Sequence, residues 1–407
     1  MKIIIVGVGC VSAKYLPEAL RSAGHEPVFV ADPAAFTGAA RAALETCVCV
    51  PADITDAKDV LRALTGRPDV LSGASALTSP FDEVFPVSRQ VAGELGLAHP
   101  PAVFAELADK ARVAELVPEH SPWTVTFDPR DIPAGLAARA PGPVLLKPSL
   151  GTGALGVRML AAAADDDLAG AVRDSGVPGA LDQPWLLQQV VTGDLVSLEG
   201  MVHDGALSVV GFSRRTRIGA TEVANLFPAD DTLPAPVRDR CVTAVATLVD
   251  RSGLSHGYVH CEFLTTAGRA LLIDANAGRV GGAAVVEQIA LAHGLLPGEV
   301  ARHALLLPLA PQTPAPRYLP PQRTRSTTSY WYGLKDGGVV RSVSAPLDTP
   351  CLHTRFAVDG QRVPPVGASD YAWVGMLTGP TADADRDVDR IVVTTDDGDR
   401  PAFCHPC

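Results

Sequence analysis

Three side chains with carboxylate or amide oxygens, Glu262, Asp274 and Asn276, lie within the segment "HCEFLTTAGRALLIDAN", residues 260–276. Its two apolar runs and the turn at Ala267-Gly268 predict a β-hairpin. Asp274 and Asn276 are two residues apart, and a strand places such side chains on one face. Cross-strand pairing is expected to bring Glu262 to the same face.

This oxygen-rich face needs a compensating charge, because carboxylates on an apolar hairpin are costly to desolvate. A divalent ion such as Mg²⁺ or Mn²⁺, bridging nucleotide phosphates, supplies that charge and prefers oxygen ligands. The alternative is a solvated strand face, which the apolar run "ALLIDAN" disfavours. The hairpin therefore predicts a magnesium site at Glu262, Asp274 and Asn276.

A glycine-rich loop in "VLLKPSLGTGALGVRML", residues 144–160, suggests phosphate binding. Lys147 precedes the glycines, whereas the common phosphate loop ends in Gly-Lys-Ser/Thr and opens a helix. A second apolar run follows the glycines, which indicates a hairpin whose tip closes over phosphates through backbone N–H groups. Lysine is scarce here, with six lysines against 28 arginines. Lys147 and Lys110, in "ADKARV", are therefore candidate phosphate ligands, since a compact ammonium suits single phosphate oxygens.

Two further segments allow more than one interpretation. The strand "LLQQVV", followed by "TGD", is a candidate for pairing free backbone amides with the edge of adenine, or it is an ordinary core strand. The N-terminal "GVGCVSA" contains half of a dinucleotide fingerprint, but Ser12 stands where the third glycine belongs. We interpret Gly7 and Gly9 as tight-turn residues and keep an NAD-dependent oxidoreductase as an alternative.

The elements that position these residues follow from the pattern of apolar runs. In the first 100 residues, "KIIIVGV", "EPVFVA", "TCVCVP" and "PDVLSGA" predict parallel strands alternating with helices. A helix carrying "LADKARVAEL", the glycine hairpin and an Ala/Asp-rich helix follow. The stretch from Pro184 to Arg215 predicts three strands joined by turns at Thr192-Gly193 and His203-Asp204-Gly205. Apolar spacing predicts a helix over 235–252. A proline-rich linker, "PLAPQTPAPRYLPPQ", precedes a small strand-rich appendage.

Composition narrows the class of protein. The chain has 407 residues, 47% hydrophobic and 19% charged, which is typical of a globular protein with two or three domains. The net charge of −11 disfavours a nucleic-acid binder, and no apolar run is long enough to span a membrane. The N-terminus enters a strand without a signal-peptide pattern, which predicts a cytoplasmic protein with buried, unpaired cysteines. The terminal "CHPC" is interpreted as a frayed end and not as a zinc site.

Together the motifs resemble those of ATP-grasp enzymes of the carboxylate–amine ligase type, which includes L-amino-acid (dipeptide) ligases. The resemblance extends from Met1 to about residue 310. It implies an α/β protein with the ATP-grasp fold: a doubly wound parallel-sheet domain, a lid region with the glycine loop, and a central antiparallel-sheet domain with the metal site. The expected boundaries are 1–100, 101–185 and 186–310, with the appendage at 323–407.

The resemblance also implies roles for individual residues. Arg279 and Lys147 resemble the catalytic cations, and Glu262, Asp274 and Asn276 resemble the ligands of Mg²⁺. The residues that resemble the ATP-binding set are Lys110, Lys147, Gly151, Thr152, Gly153, Gly156, Gln188, Gln189, Val190, Val191 and Asp194. Those that resemble the substrate side are Glu222, Arg279, Gly281 and Gly282.

The sequence departs from the family pattern at three places. Leu195 stands where a ribose-binding glutamate commonly follows the hinge, with Asp194 just before it. Asp274 replaces the commoner glutamate. The segment "NAGRVGG" is one residue longer than the usual "NPRxGG", which changes the reach of Arg279.

The resemblance implies a chemistry in which a carboxylate attacks the γ-phosphate of ATP to give an acyl phosphate and ADP, and an amine then displaces phosphate. Positioning and charge neutralisation suffice for both steps, so His260 and Cys261 are expected to be packing residues. The implied partners are a small-molecule carboxylate and amine, with a homodimer as the family's common assembly. Alternatives are transfer to a carrier-protein thiol or a purine-pathway amine, and a nucleotide-binding module without turnover.

Overall fold

The computed structural model describes residues 1–151, 155–160, 167–266, 268–320, 322–369 and 372–404. At the N-terminus it has a parallel sheet in the order β3-β2-β1-β4. On β1, Ile3 and Ile5 pack in one hydrophobic cluster and Ile4 and Val6 in another, so both faces are covered. This confirms the doubly wound prediction. The elements are β1 (Lys2–Val6), α1 (Cys10–Ser22), β2 (Glu26–Val30), α2 (Gly38–Leu44), β3 (Val48–Cys49), α3 (Ala57–Thr65), α4 (Pro68–Leu71), β4 (Ala74–Thr78) and α5 (Phe85–Leu95).

Two local predictions in the first 120 residues are wrong. The run "PDVLSGA" is not a strand, because Pro68 begins the short helix α4 and the fourth strand starts only at Ala74. The helix expected to carry "LADKARVAEL" is broken into α6 (Val103–Leu107) and α7 (Lys110–Leu116). Asp109 causes the break, since its carboxylate accepts hydrogen bonds from the first backbone amides of α7.

A second, antiparallel sheet carries the glycine hairpin. Its strand order is β5-β8-β6-β7, and the first and last pairs of β6 and β7 are Val144 with Leu160 and Leu146 with Arg158. The hairpin predicted around the glycines is therefore confirmed. Of the Ala/Asp-rich segment, residues 161–166 lie outside the described residues. The elements are β5 (Thr124–Phe127), β6 (Val144–Pro148), β7 (Arg158–Leu160), α8 (Leu168–Arg173) and β8 (Trp185–Gln189).

The largest sheet has eight strands in the order β13-β12-β9-β10-β11-β14-β18-β16. The predicted helix α9 and the β12–β13 hairpin have the expected bounds, and apolar side chains of α9 pack on this sheet. β8 belongs to the sheet that carries the glycine hairpin, although only the turn predicted at Thr192-Gly193 separates it from β9 of the largest sheet. The elements are β9 (Asp194–His203), β10 (Ala206–Ile218), β11 (Thr221–Phe227), α9 (Ala235–Ser252), β12 (Gly257–Thr266), β13 (Arg269–Ala277), α10 (Ala283–His293) and α11 (Pro297–Leu306).

The C-terminal segment is rich in strands and joins the central sheet through pairing of β14 with β11. A further sheet has the order β17-β15-β19-β20. Cys404 is buried, and the rest of "CHPC" lies outside the described residues. Among the helices described, none has the length and apolarity required to cross a bilayer. The elements are β14 (Thr327–Tyr332), β15 (Gly338–Ser344), β16 (Leu352–Arg355), β17 (Arg362–Val363), β18 (Gly375–Pro380), α12 (Thr381–Val388), β19 (Val392–Thr395) and β20 (Gly398–Pro401).

Candidate active site

The β12–β13 register places the predicted metal ligands on one face. Glu262 is directly opposite Asp274, and His260 is opposite Asn276. The side chains of Glu262 and Asp274 are 20% and 23% exposed, and Asn276 is buried. Two carboxylates and an amide form an oxygen donor set that fits a hard divalent cation.

Both predicted lysines converge on this hairpin. The Lys110 ammonium lies 3.5 Å from an Asp274 carboxylate oxygen and donates to the Gly151 carbonyl at 2.7 Å. Lys147 Nζ donates to Gln188 Oε1 at 2.8 Å and to the carbonyl of Ile273, the residue before Asp274, at 3.4 Å. Burial lowers the pKa of Lys147 to about 8, against the opposing charge of Asp274. The lysines and the carboxylate face thus form one site.

The glycine loop is described in part. The Gly151 φ of +142° is one that side chains rarely adopt, and its carbonyl faces Lys110. Gly156 has φ +75°, and a Cβ there would lie 2.5 Å from Val177 Cγ2 and 3.2 Å from Trp185, so this position requires glycine. Thr152 and Gly153 lie outside the described residues.

The hinge, the segment Gln188–Val191, has fewer free backbone N–H groups than the sequence suggested. The backbone N–H of Gln189 donates to the Trp123 carbonyl at 2.8 Å, and that of Val190 donates to the Pro143 carbonyl at 2.9 Å. These two backbone N–H groups are therefore already paired, and the predicted contact of Gln188–Val191 with adenine would depend on the remaining backbone groups. Asp194 begins β9 and pairs with Arg214 at 3.0 Å.

A buried ionic network adjoins the carboxylate face, and Arg215 is its centre. One guanidinium nitrogen of Arg215 lies 2.8 Å from Glu262 and 3.3 Å from Glu222. Burial alone would raise the pKa of Glu262, but Arg215, followed by His260, holds it well below its usual range. Glu222, expected on the substrate side, is thus tied to a predicted metal ligand through a shared arginine.

His260, expected to be a packing residue, is hydrogen-bonded on both ring nitrogens. Nδ1 lies 2.6 Å from a Glu199 oxygen and Nε2 lies 3.1 Å from Glu262. Burial and Arg215 oppose its positive charge, but Glu199 outweighs them and raises the pKa of His260 to about 9. The guanidinium of Arg215 also lies 2.8 Å from Nε2, so the imidazole links Glu199, Glu262 and Arg215 in one buried network.

The loop after β13 is fixed by the same network. The Gly281 N–H donates to Glu199 Oε2 at 3.0 Å, and a Cβ at Gly281 would lie 2.6 Å from the His260 ring. Gly282 is the N-cap residue of α10. Gly281 therefore lets the chain pass close to His260, and Gly282 begins a helix beside the site.

Arg279 reaches across to the N-terminal domain. Its Nε lies 3.1 Å from Asp82 Oδ1. Burial disfavours ionised Asp82, but Arg279 holds the pKa of that carboxyl below its usual value. Burial and then Asp82 raise the pKa of the neighbouring Glu83 to about 7. A cavity of about 130 Å³ is lined by Arg279, by the start of α1 from Gly9 to Ser12, and mainly by apolar side chains.

Sequence reasoning missed Glu199, Asp82 and Glu83. A signal for Glu199 exists in "DLVSLEGMV", because a carboxylate at an alternating position of an apolar strand predicts a buried charge with a partner. Asp82 and Glu83 are about 200 residues from Arg279 in the chain. Only the packing of the N-terminal domain against the central sheet brings them together.

Comparison with known proteins finds a matching family model and similar solved structures. Residues 140–287 match the family model described as the ATP-grasp domain. Among curated proteins, none matches the sequence. Among solved structures, L-amino acid ligase from Bacillus licheniformis is similar, with a TM-score of 0.73 and 17% identity over 96% of this chain and 98% of that chain.

Two other solved structures have comparable likeness. The biotin carboxylase domain of a Hydrogenobacter thermophilus 2-oxoglutarate carboxylase, complexed with MgADP, ADP and bicarbonate, has a TM-score of 0.69 and 14% identity over 98% of this chain and 91% of that chain. N5-carboxyaminoimidazole ribonucleotide synthetase from Thermus thermophilus has a TM-score of 0.64 and 17% identity over 94% of this chain and 95% of that chain. At these identities the likeness shows a shared fold.

Proposed function

Because this chain carries an ATP-grasp domain, we propose that it is an ATP-dependent ligase that activates the carboxylate of an amino acid and joins it to an amine. The products are an amide, ADP and phosphate. One observation carries this function: two lysines, two carboxylates and an amide side chain converge on one face of the β12–β13 hairpin. Terminal phosphates and a divalent ion need this combination of charges.

Glu262, Asp274 and Asn276 are the residues that would hold Mg²⁺ or Mn²⁺. The ion, when bound, neutralises charge on the phosphates of ATP. Lys110 and Lys147 bind phosphate oxygens from the lid side of the site. Since Lys147 already donates to Gln188 and to a backbone carbonyl, its ammonium is held in place before ATP arrives. The loop that contains Gly151 and Gly156 covers the phosphates and keeps water away from the reactive intermediate.

The carboxylate substrate lies beside Arg279, at the 130 Å³ cavity. A carboxylate oxygen attacks the γ-phosphorus, the bond to the β-phosphate oxygen breaks, and ADP leaves. The guanidinium of Arg279 steadies the acyl phosphate through a planar fork of donors. The amine then attacks the acyl carbon, and phosphate departs with the oxygen that the carboxylate contributed.

An amino acid fits this position by charge. The cavity wall includes Arg279, whose positive charge suits the carboxylate of an amino acid, and Asp82 pairs with the guanidinium and holds it in place. The apolar remainder of the lining suits a small side chain. The similar structure from Bacillus licheniformis is an L-amino acid ligase, which supports the same choice.

The test is a screen of amino-acid pairs with ATP and Mg²⁺, in which phosphate release is measured and the amide is identified by mass. We expect phosphate release that requires both amino acids and yields a dipeptide or a related amide. The Asp274→Asn variant is the control for adventitious hydrolysis. Phosphate release that requires only a carrier-protein thiol or a purine-pathway amine would contradict the amino-acid assignment while retaining the ATP-grasp chemistry.

A further inference from the structure

A second cluster of ligand-type side chains lies at the far end of β12 from the active site. Its members are His203, Asp204 and His256, and their candidate ligand atoms all lie within 4.8 Å of one another. His256 precedes Glu262 by six residues, which is about 20 Å of extended strand. The cluster is therefore separate from the carboxylate face.

The backbone brings the two histidines together as cross-strand neighbours. Val202 pairs with Gly257 in the β9–β12 register, so His203 and His256 are the next residues of the two strands. The Gly205 amide donates to the Ser255 carbonyl at 2.9 Å, which ties the β9–β10 turn to the chain before β12. The imidazole rings are 4.9 Å apart. These side chains are thus arranged by the sheet and not by chance contact of loops.

Two contacts within the cluster are close to the ligand-to-ligand separation of a tetrahedral metal site. Asp204 Oδ2 lies 3.3 Å from His203 Nδ1, and Asp204 Oδ1 lies 3.0 Å from His256 Nε2. Bonds of about 2.0–2.1 Å at tetrahedral angles separate ligand atoms by roughly 3.3 Å. A metal ion can therefore replace the protons between the rings and the carboxylate with small movements.

The outer contacts also fit metal ligation. His203 Nε2 lies 3.3 Å from the Pro311 carbonyl. A histidine that binds metal through Nδ1 carries its proton on Nε2 and commonly donates it to a backbone carbonyl, which fixes the ring. Exposure of His203 and Asp204 leaves a path from solvent and a coordination position for water.

We propose that His203, Asp204 and His256 form a binding site for a divalent transition-metal ion, with Zn²⁺ as the best match to two imidazoles and a carboxylate. The ion cross-links the β9–β10 turn to the start of β12, the strand that carries Glu262. Binding to the folded chain alone then stabilises the central sheet. This site is independent of the ligase chemistry.

The experiment is a titration of the full-length protein with Zn²⁺ against a chromophoric chelator, with excess Mg²⁺ to occupy the carboxylate face. The variants are His256→Asn and Asp204→Asn, and the matched control is His120→Asn, outside the cluster. Asn is tolerated at position 204, whose φ is +49°. We expect Zn²⁺ to raise the unfolding temperature of the wild type and of His120→Asn. Each cluster variant should lose affinity by about tenfold or more.

A Co²⁺ spectrum identifies the ligands, because imidazole and carboxylate ligation gives no thiolate charge-transfer band. Absence of that band in the wild type, with loss of the spectrum in His256→Asn, supports the site. Equal Zn²⁺ affinity in the wild type and both cluster variants overturns it. So does a thiolate band that survives in His256→Asn, since the metal would then be held by cysteines such as those of the terminal "CHPC".

Discussion

The substitution Asp274→Asn isolates the proposed metal site from the stability of the fold. Asp274 is opposite Glu262 and forms an ion pair with Lys110 at 3.5 Å. The Lys110 and Asp274 side chains are 15% and 23% exposed, and Lys110 keeps its hydrogen bond to the Gly151 carbonyl, so losing the ion pair should cost about 1–3 kcal/mol of stability. Glu262→Gln would change stability as well as metal binding, because Glu262 is paired with buried Arg215 and breaking a buried pair costs about 3–5 kcal/mol.

The expected effect of Asp274→Asn on turnover is much larger than its effect on stability. The variant removes one negative charge from the face that would hold Mg²⁺ and leaves Lys110 without its counter-charge. Removing one preorganised electrostatic group from an active site typically lowers kcat by about 10²–10³-fold. We therefore expect a loss of this size at saturating Mg²⁺, together with a higher Mg²⁺ requirement.

The assay is steady-state phosphate release over a Mg²⁺ titration, with urea unfolding of each variant. Asp383→Asn is the matched control, because Asp383 is 29% exposed and pairs with Arg386 at 2.7 Å in α12, away from the site. The control should retain wild-type kinetics. A rate for Asp274→Asn within about threefold of the wild type at saturating Mg²⁺ would refute the metal assignment.

Three further outcomes are expected. Arg279→Lys should lower kcat by about 10–100-fold with little change in ATP affinity, because an ammonium lacks the bidentate fork. Steady-state kinetics measure the rate and a titration measures ATP affinity. Unchanged rates in both Arg279→Lys and Arg279→Ala would mean that Arg279 has a structural role. Lys147 is charged below its pKa of about 8 and loses its charge above it, so ATP affinity should be constant below that pH and fall up to about tenfold per unit above it. Calorimetric titrations should show no such fall in Lys147→Arg, and an equal fall would assign the titration to another group. Gly156→Ala should lower the free energy of unfolding, measured in urea, by about 2–4 kcal/mol, because of its positive φ and the contact with Val177. The control is Gly24→Ala, with φ +77° and open space around it, which should show only the smaller backbone cost.

Part of the carboxylate face could be predicted from the sequence because it depends on short-range rules. The period of two in a strand places Asp274 and Asn276 together. The bounds of α9 follow equally from the spacing of its apolar residues. Glu262 joins the face because a β-bulge shifts the register set by the turn, so that Glu262 is opposite Asp274 and not Ile273. The pattern of apolar and polar residues does not predict this bulge.

The rest of the site depends on the order of strands, which local patterns do not fix. Arg215 on β10 and Glu262 on β12 lie on the two strands that flank β9. β9 itself carries Glu199, the partner of His260. The turn at Thr192-Gly193 has the composition of a hairpin, yet it joins strands of two different sheets. Strand propensity also gave a wrong prediction for the run that starts at Pro68, because this proline begins a helical turn.

The pairing of Arg279 with Asp82 was equally beyond sequence patterns. The two residues are far apart in the chain, and the pair forms only when the turn after β4 packs against the loop after β13. One extra residue in "NAGRVGG" sets the reach of this arginine. Its contact with a buried carboxylate is a consequence of tertiary packing.

The acyl-phosphate chemistry is tested most directly by following a carboxylate oxygen. An amino acid labelled with heavy oxygen in its carboxylate is turned over with ATP, Mg²⁺ and an amine-bearing amino acid, and the nucleotide and phosphate products are analysed by chromatography and mass spectrometry. The proposed reaction predicts ADP, and phosphate that carries one labelled oxygen per amide formed. Phosphate without label, or AMP and pyrophosphate in place of ADP, would contradict it.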